Sequence, residues 1–446
     1  MRDQVTNEED AERLAVLLAI GKASGRWVTS MPPLCTRCRS RPPILGEERA
    51  RHRRPGHKGG KYPLRWAACG LSGLLLLCRK LDVTNKTTFV ATAAFEAARR
   101  IDELPVGHRA HGLHGHGFLA SLRCCPPLGS TPFPGGELDS LQAVLAPVAA
   151  QLDYRLLNDQ VASPTNPNLA RWVQSQCAVP GLSAVALQST TTEGCEVSAS
   201  GQVTLWRRYA FHSAHYLPNV PAGHKCGNMH GHGFEAILHM GWDDSTDTNR
   251  LGYEQLDAAW APLHAQLDHA CLNELVGLEN PTSEMLSSWV WQRLQPGLPT
   301  LRGVTVYETA SCGAHYDGST YQIWKELTLD SALRFKHAPE GHPRRQLHGH
   351  TYTLRLHLSA PLDEIKGWTV DFGDVKEVFN PLFKLLDHKP LYEIPDLTDC
   401  DTASIAHWVL AKARSALPQL YRVDLFETRG CGVLVSIGQD GPQLPL

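Results

Sequence analysis

At 446 residues the chain is about three times the ~150 residues usual for one domain, so several domains, or one domain repeated, are expected. Its 42% hydrophobic and 20% charged residues are ordinary for a globular protein, and 43 Lys+Arg against 45 Asp+Glu leave a net charge of -2, which argues against a nucleic-acid surface as its main business. Thirteen cysteines, an odd number in scattered positions, are not a secreted disulfide framework and fit a reducing, cytoplasmic setting.

In chain order, residues 1–85 read as a poorly ordered lead-in rich in Pro, Arg and Gly, with basic residues from Arg51 to Lys61. Cys35 and Cys38 form a lone pair with no second half, weak evidence for a zinc site. The apolar run Trp66 to Cys78 is shorter than the ~18 residues of a membrane span and lies too far from Met1 for a signal peptide. No membrane partner is expected.

Beyond the lead-in the chain repeats itself. The tripeptide HGH falls at His114–His116, His230–His232 and His348–His350, at intervals of 116 and 118 residues. Leu-Asp pairs ending at Asp153, Asp268 and Asp387, and Trp-Val pairs beginning at Trp172, Trp289 and Trp408, keep the same register. Three units follow, at residues 86–200, 201–320 and 321–446. In the middle unit, Val203 to His215 reads as a strand, Pro218 to Gly227 as a loop and Gly233 to Met240 as a return strand. Leu256 to Leu267 has helical spacing, Asn280 and Pro281 suit the start of a helix running to about Leu294, and Val304 to Glu308 reads as a further strand. The fold class is α+β, an antiparallel sheet with two helices on one face of each unit.

The chemistry gathers in the middle unit. His230 and His232 alternate onto one strand face, the Gly between them leaves room for a third group, and the hairpin brings His215 alongside. Three neutral imidazoles with an open position suit a catalytic zinc, although spacing alone leaves iron and nickel open. Cys226, four residues before His230, is within reach of a metal-bound substrate as base or nucleophile; a fourth ligand or a small buried residue are the plainer readings. Asp268 and His269 form an adjacent acid and imidazole suited to proton relay, and Glu308 is placed to accept two hydrogen bonds from an amidine-like heterocycle edge. The outer units are broken. In the first, Arg99 stands for the third histidine, Ala110 for the cysteine, Tyr154 for the relay histidine and Gln188 for the glutamate. In the third, Leu333 and Arg344 replace histidine and cysteine, while Asp387, His388 and Glu427 persist. One metal site per chain is expected.

The runs FHSAHYLPNVPAGHKCGNMHGHGF, LDHACLN, ENPTSE and YETASCGAHY closely resemble the 6-pyruvoyltetrahydropterin synthase family, and the Cys-x-x-x-His-Gly-His spacing is similar to its carboxy-forming branch. The resemblance implies a tunnelling fold, with the three units forming a pseudo-trimeric barrel that stacks head to head with a second chain as a homodimer. It implies conversion of the pterin 7,8-dihydroneopterin triphosphate to 6-carboxy-5,6,7,8-tetrahydropterin, acetaldehyde and triphosphate, in queuosine (7-deazaguanine) biosynthesis. It further implies Zn2+ on His215, His230 and His232, proton acceptance by Cys226, relay by Asp268 and His269, and pterin anchoring by Glu308. Because sites of this family lie at subunit contacts, Asp387 and His388 are an alternative relay. Pyruvoyl-forming activity and a non-catalytic pterin-binding scaffold are the alternative functions. One departure stands out: where the third unit has GWTVDFGDVK, the middle unit has Gly252, Tyr253 and Glu254 and lacks the Asp-Phe step.

Overall fold

The computed structural model describes residues 85–446 except 128, 244–250, 364–365, 398, 439 and 446, so the expected lead-in, its Cys35/Cys38 pair and the run from Trp66 lie outside the described residues. Long strands dominate: β1 (Asn85–Arg99), β2 (His114–Cys124), β3 (Leu182–Thr190) and β4 (Glu193–Ser198) in the first unit; β5 (Val203–His215), β6 (His230–Trp242), β7 (Leu301–Thr309) and β8 (Cys312–Tyr316) in the middle unit; β9 (Tyr321–Leu333), β10 (His348–Ser359), β11 (Leu420–Thr428) and β12 (Cys431–Ile437) in the third. Each pairs antiparallel with the next, and β12 returns to pair with β1, closing a twelve-stranded barrel. Closure leaves no free edge along the ring. The expected pseudo-trimeric α+β barrel is thus what the chain forms. Three two-residue strands, Arg155–Leu156, Ala270–Cys271 and Lys389–Pro390, run parallel to the ends of β1, β5 and β9.

Two helices intervene between the second and third strands of every unit: α1 (Glu137–Leu152) and α2 (Asn166–Gln176), α3 (Tyr253–Leu267) and α4 (Ser283–Leu294), α5 (Phe372–Leu386) and α6 (Thr402–Ala413). Their apolar residues recur at helical intervals; α3 buries Tyr253, Leu256, Trp260, Leu263 and Leu267 against β5, whose Phe211 is buried beside Phe234 of β6. The strand reading of Val203 to His215 holds at both ends, and β6 extends the expected return strand by three residues at its start and two at its finish. Two details differ from the residue-level reading. The cap of α4 is Thr282, whose Oγ1 accepts from Met285 N at 3.2 Å, rather than Asn280. A fourth strand, β8, follows the expected third.

Alternation turns the other strand face into the lumen, where seven strands contribute residues to one cavity, among them Arg123, Glu196, His239 and His315. These polar groups are paired: Thr305 Oγ1 lies 2.9 Å from His239 Nε2 and 2.8 Å from His315 Nδ1, and Asp424 lies 2.9 Å from His357 and receives two bonds from Arg422. Leu444, on the segment after β12, enters the same lumen and packs among Trp206, Ile237, Tyr307 and Trp324. Among the described residues no helix is long and apolar enough to cross a membrane.

Candidate active site

The end of β5 and the start of β6 are neighbours in the hairpin, so His215 is the register partner of His230, and His232 follows one pleat later on the same face. The Gly between the two histidines has a different reason from the one expected: a Cβ at Gly231 would come within 3.2 Å of the Ser213 carbonyl, and the equivalent Gly349 would meet the Ser331 carbonyl at 3.0 Å. It lets the strands approach, in a broken unit as in the intact one. Glu308 reaches the cluster through a bulge. Tyr307 pairs with Gly313 and Thr309 with Cys312, leaving Glu308 as the extra residue whose side chain is re-aimed at the histidines.

Ligand atoms of His215, His230, His232 and Glu308 all lie within 4.8 Å of one another. His215 Nδ1 is 3.0 Å from the Pro281 carbonyl and His230 Nδ1 is 2.8 Å from the Asn228 carbonyl. Carbonyl oxygens only accept, so each Nδ1 carries the proton and each Nε2 offers a lone pair inward. Nε2 of His215 and of His232 is buried without a hydrogen-bond partner, and Glu308 Oε1 stands 3.9 and 3.4 Å from them. Burial pushes His215 and His232 below the ordinary imidazole range, keeping them neutral as metal ligands must be. Orphaned lone pairs converging beside a carboxylate fit a divalent cation held by three imidazoles, with Glu308 within reach as a fourth ligand.

A cavity of about 650 Å³ opens over this cluster, and its walls come from two units. The middle unit supplies His224, Cys226, His230, His232, Glu284 and Glu308; the third supplies Lys325, Trp368, Asp371, Phe372 and Lys376. Hydrogen bonds fasten the seam: Asn280 donates to the Lys366 carbonyl (2.6 Å), Thr282 to the Gly367 carbonyl (2.5 Å), and Thr369 N and Oγ1 donate to Glu284 Oε1 (2.8 and 3.1 Å). The Asp-Phe step missing from the middle unit is therefore supplied to its cavity by the third. The middle unit's own Tyr253 faces the other way, bonding Asn166 and the Gly194 carbonyl of the first unit.

Glu284 is the residue the sequence reading missed. It is buried, lines the cavity, and burial pushes its carboxyl up to about 7 despite the Thr369 bonds. Its signal lay two residues past the cap of α4, where the other units have Pro167 and Ala403. Cys226 is half-buried, and burial followed by the Glu308 charge pushes its thiol up. A thiolate at Cys226, as a base or nucleophile requires, therefore depends on a bound cation.

Asp268 and His269 are hydrogen-bonded at 2.9 Å, with Asp268 Oδ1 also accepting from His212 N, but His269 is 79% exposed and neither residue lines the cavity. Asp387 and His388 repeat this geometry, also at 2.9 Å and outside the cavity. Both histidines have left-handed φ, 57° and 54°, as does Tyr154 at 52°. Within one chain, neither pair is brought to Cys226.

In the first unit Arg99 is buried at the His215 position, donating to the Pro164 carbonyl (3.0 Å) and to Asn166 Oδ1 (2.8 Å). The residue in the bulge matching Glu308 is Ser189, not Gln188: Gln188 pairs with Gly194 and Thr190 with Glu193, and Gln188 turns to the lumen. A shift of one residue on a strand exchanges faces. In the third unit Arg344 bonds both oxygens of Glu427 (3.1 and 2.7 Å) and those of Asp139 in the first unit (2.6 to 2.9 Å).

A family model described as 6-pyruvoyl tetrahydropterin synthase matches residues 204–319 and 322–436. The chain is similar to a Synechocystis protein named 6-carboxy-5,6,7,8-tetrahydropterin synthase, 34% identical over 119 residues, covering 25% of this chain and 91% of the relative. It is likewise 34% identical over 100 residues to a Pyrococcus furiosus dihydroneopterin monophosphate aldolase, covering 22% of this chain and 84% of the relative. Among solved structures, Caenorhabditis elegans 6-pyruvoyl tetrahydropterin synthase matches at 18% identity and TM-score 0.24, covering 26% of this chain and 95% of that one.

Proposed function

Because the chain belongs to the 6-pyruvoyl tetrahydropterin synthase family, whose members are lyase-type enzymes acting on pterins, we propose that it is a zinc-dependent 6-carboxy-5,6,7,8-tetrahydropterin synthase serving queuosine biosynthesis. The substrates are 7,8-dihydroneopterin triphosphate and one water, and the products are the carboxypterin, acetaldehyde and triphosphate. The observation that carries this reading is the convergence of three imidazole lone pairs beside Cys226 in one seam cavity. The Cys226-to-His230 interval supports the carboxy-forming branch over the pyruvoyl-forming one.

His215, His230 and His232 hold the metal, which when bound polarises the side-chain oxygens of the substrate. Glu308, steadied by Ser283 at 2.7 Å, receives the amidine-like edge of the pterin ring. Cys226 takes a proton from the substrate side chain, and Lys325 and Lys376 offset the charge of its anionic tail. Asp268 and His269 complete the relay only when a second copy is docked on the end of the barrel that bears the site. That end exposes Met229 at 57% and Leu347 at 64%, each directly preceding an HGH tripeptide, which suits a head-to-head dimer.

The test is product analysis with dihydroneopterin triphosphate. Wild type releases acetaldehyde, and Cys226→Ala lowers release about 10²–10⁴-fold while keeping its metal. Retention of the three-carbon side chain as a pyruvoyl product contradicts the carboxy-forming assignment.

A further inference from the structure

The glycine-histidine step ahead of Cys226 recurs in all three units, as His108, His224 and His342. In each, the imidazole Nδ1 accepts from the backbone N two residues on: from Ala110 at 3.1 Å, from Cys226 at 3.3 Å and from Arg344 at 3.3 Å. With Nδ1 so used, the ring holds the local turn and presents Nε2 or a ring edge across the seam to the next unit. His108 Nε2 lies 2.9 Å from Glu254 of the middle unit, His224 Nε2 lies 3.5 Å from Asp371 of the third unit, and His342 packs edge-on against Phe133 of the first. The acceptor at the intact site is itself fixed. Asp371 caps α5, its Oδ1 accepting from Gly373 N at 2.5 Å and Asp374 N at 3.3 Å, which leaves Oδ2 facing His224.

Resting on the synthase reading above, we infer that Asp371 and His224 are a positioning pair through which the third unit sets the place of the Cys226 thiol in the middle unit. Both nitrogens of His224 are engaged, one by the Cys226 backbone and one by Asp371, so its role is placement and not proton transfer. The third unit, which has lost its own chemistry, thereby holds the reacting side chain of its neighbour. Misplacement of a reacting group by a fraction of an ångström is costly because near-attack geometry is lost.

The His108–Glu254 contact provides an internal control, since it is the same device at a seam whose cysteine position is Ala110. Asp371→Ser keeps a helix-capping hydroxyl but removes the carboxylate from His224, and Glu254→Ser breaks the matching contact. Three quantities are read for each variant of the full chain: kcat and KM, metal content, and the rate at which iodoacetamide labels Cys226, followed by mass spectrometry of the Cys226 peptide. The expected result for Asp371→Ser is a kcat lowered about tenfold with KM and metal unchanged, and Cys226 labelling accelerated roughly threefold as the turn loosens. Glu254→Ser leaves kcat and labelling at wild-type values. His224→Ala reproduces the labelling change and, combined with Asp371→Ser, adds nothing further, as coupled partners require. Equal effects of the two serine variants, or an Asp371→Ser protein with wild-type kcat and labelling, overturn the inference. If the chain turns over no pterin, the synthase reading fails, and the labelling rates alone decide this one.

Discussion

Three seams join the units of this barrel, and among the described residues only one of them gathers three imidazoles and a glutamate. At the seam between the middle and third units, imidazoles, a thiol and three carboxylates face an open cavity. At the other two an arginine stands where the chemistry was. Arg99 takes over the His215 position and even its kind of partner, a proline carbonyl, and stacks over Phe118 with 5.0 Å between guanidinium and ring centroid. Burial lowers its pKa only to about 10, so it stays charged near neutrality, while burial and then Arg99 itself push His116 down to about 4. Arg344 sits between Glu427 and Asp139, and although burial opposes its charge, those carboxylates raise its pKa. Each broken site is thus filled by a permanent cation of the protein's own, which satisfies the polar groups a metal and substrate would otherwise meet.

That contrast can be broken by removing the substitute cation. Arg344→Met removes the cation between Glu427, which keeps a bond from Thr402, and the partly exposed Asp139, and an unfolding free energy lower by about 1–2 kcal/mol is expected. Urea denaturation checks it, and metal content and turnover at the distant intact seam should not change. An equally stable Arg344→Met protein would mean that the arginine is not what holds this seam.

A smaller effect sharpens the contrast from the other side, because Glu284 has no counterpart in the outer units. Its folded pKa, about 7, lies above the 4.5 of an ordinary glutamate, so between those values the folded chain keeps a proton the unfolded chain has released. Stability of the metal-free protein therefore falls as pH rises through this window and levels off above it. The Glu284→Gln protein should lack this component, flattening the decline by about 1–2 kcal/mol between pH 5 and 7. Parallel stability profiles for the two proteins would show that the carboxyl is ionised in the folded state.

Much of this was legible in the sequence, for reasons that can be named. Local alternation sufficed to place Val203 to His215 as a strand and to bring His215, His230 and His232 together, because a hairpin fixes its own register. The three-unit barrel followed from the repeat together with the family resemblance. What depends on distant closure was not legible. No local pattern says that β9 lies beside β8, so the dependence of the middle unit's cavity on Trp368, Asp371 and Lys376 was invisible, and the missing Asp-Phe step looked like a defect of the middle unit. The bulge before β4 likewise hid Ser189 behind Gln188, since a single extra residue exchanges the two faces of a strand. Asp268 and His269 read as partners of Cys226 by sequence; the fold leaves His269 exposed and both residues outside the cavity, which no local pattern reveals.

On the function proposed above, one seam of three carries the metal and the chemistry. Zinc per chain, measured by elemental analysis on protein reconstituted with zinc and dialysed, tests it most directly when wild type is compared with His215→Ala. The account predicts one equivalent for wild type and a loss of binding in the variant, with the barrel still folded. Two or three equivalents in wild type, or one retained after His215→Ala, would contradict it and return the outer units to the list of working sites.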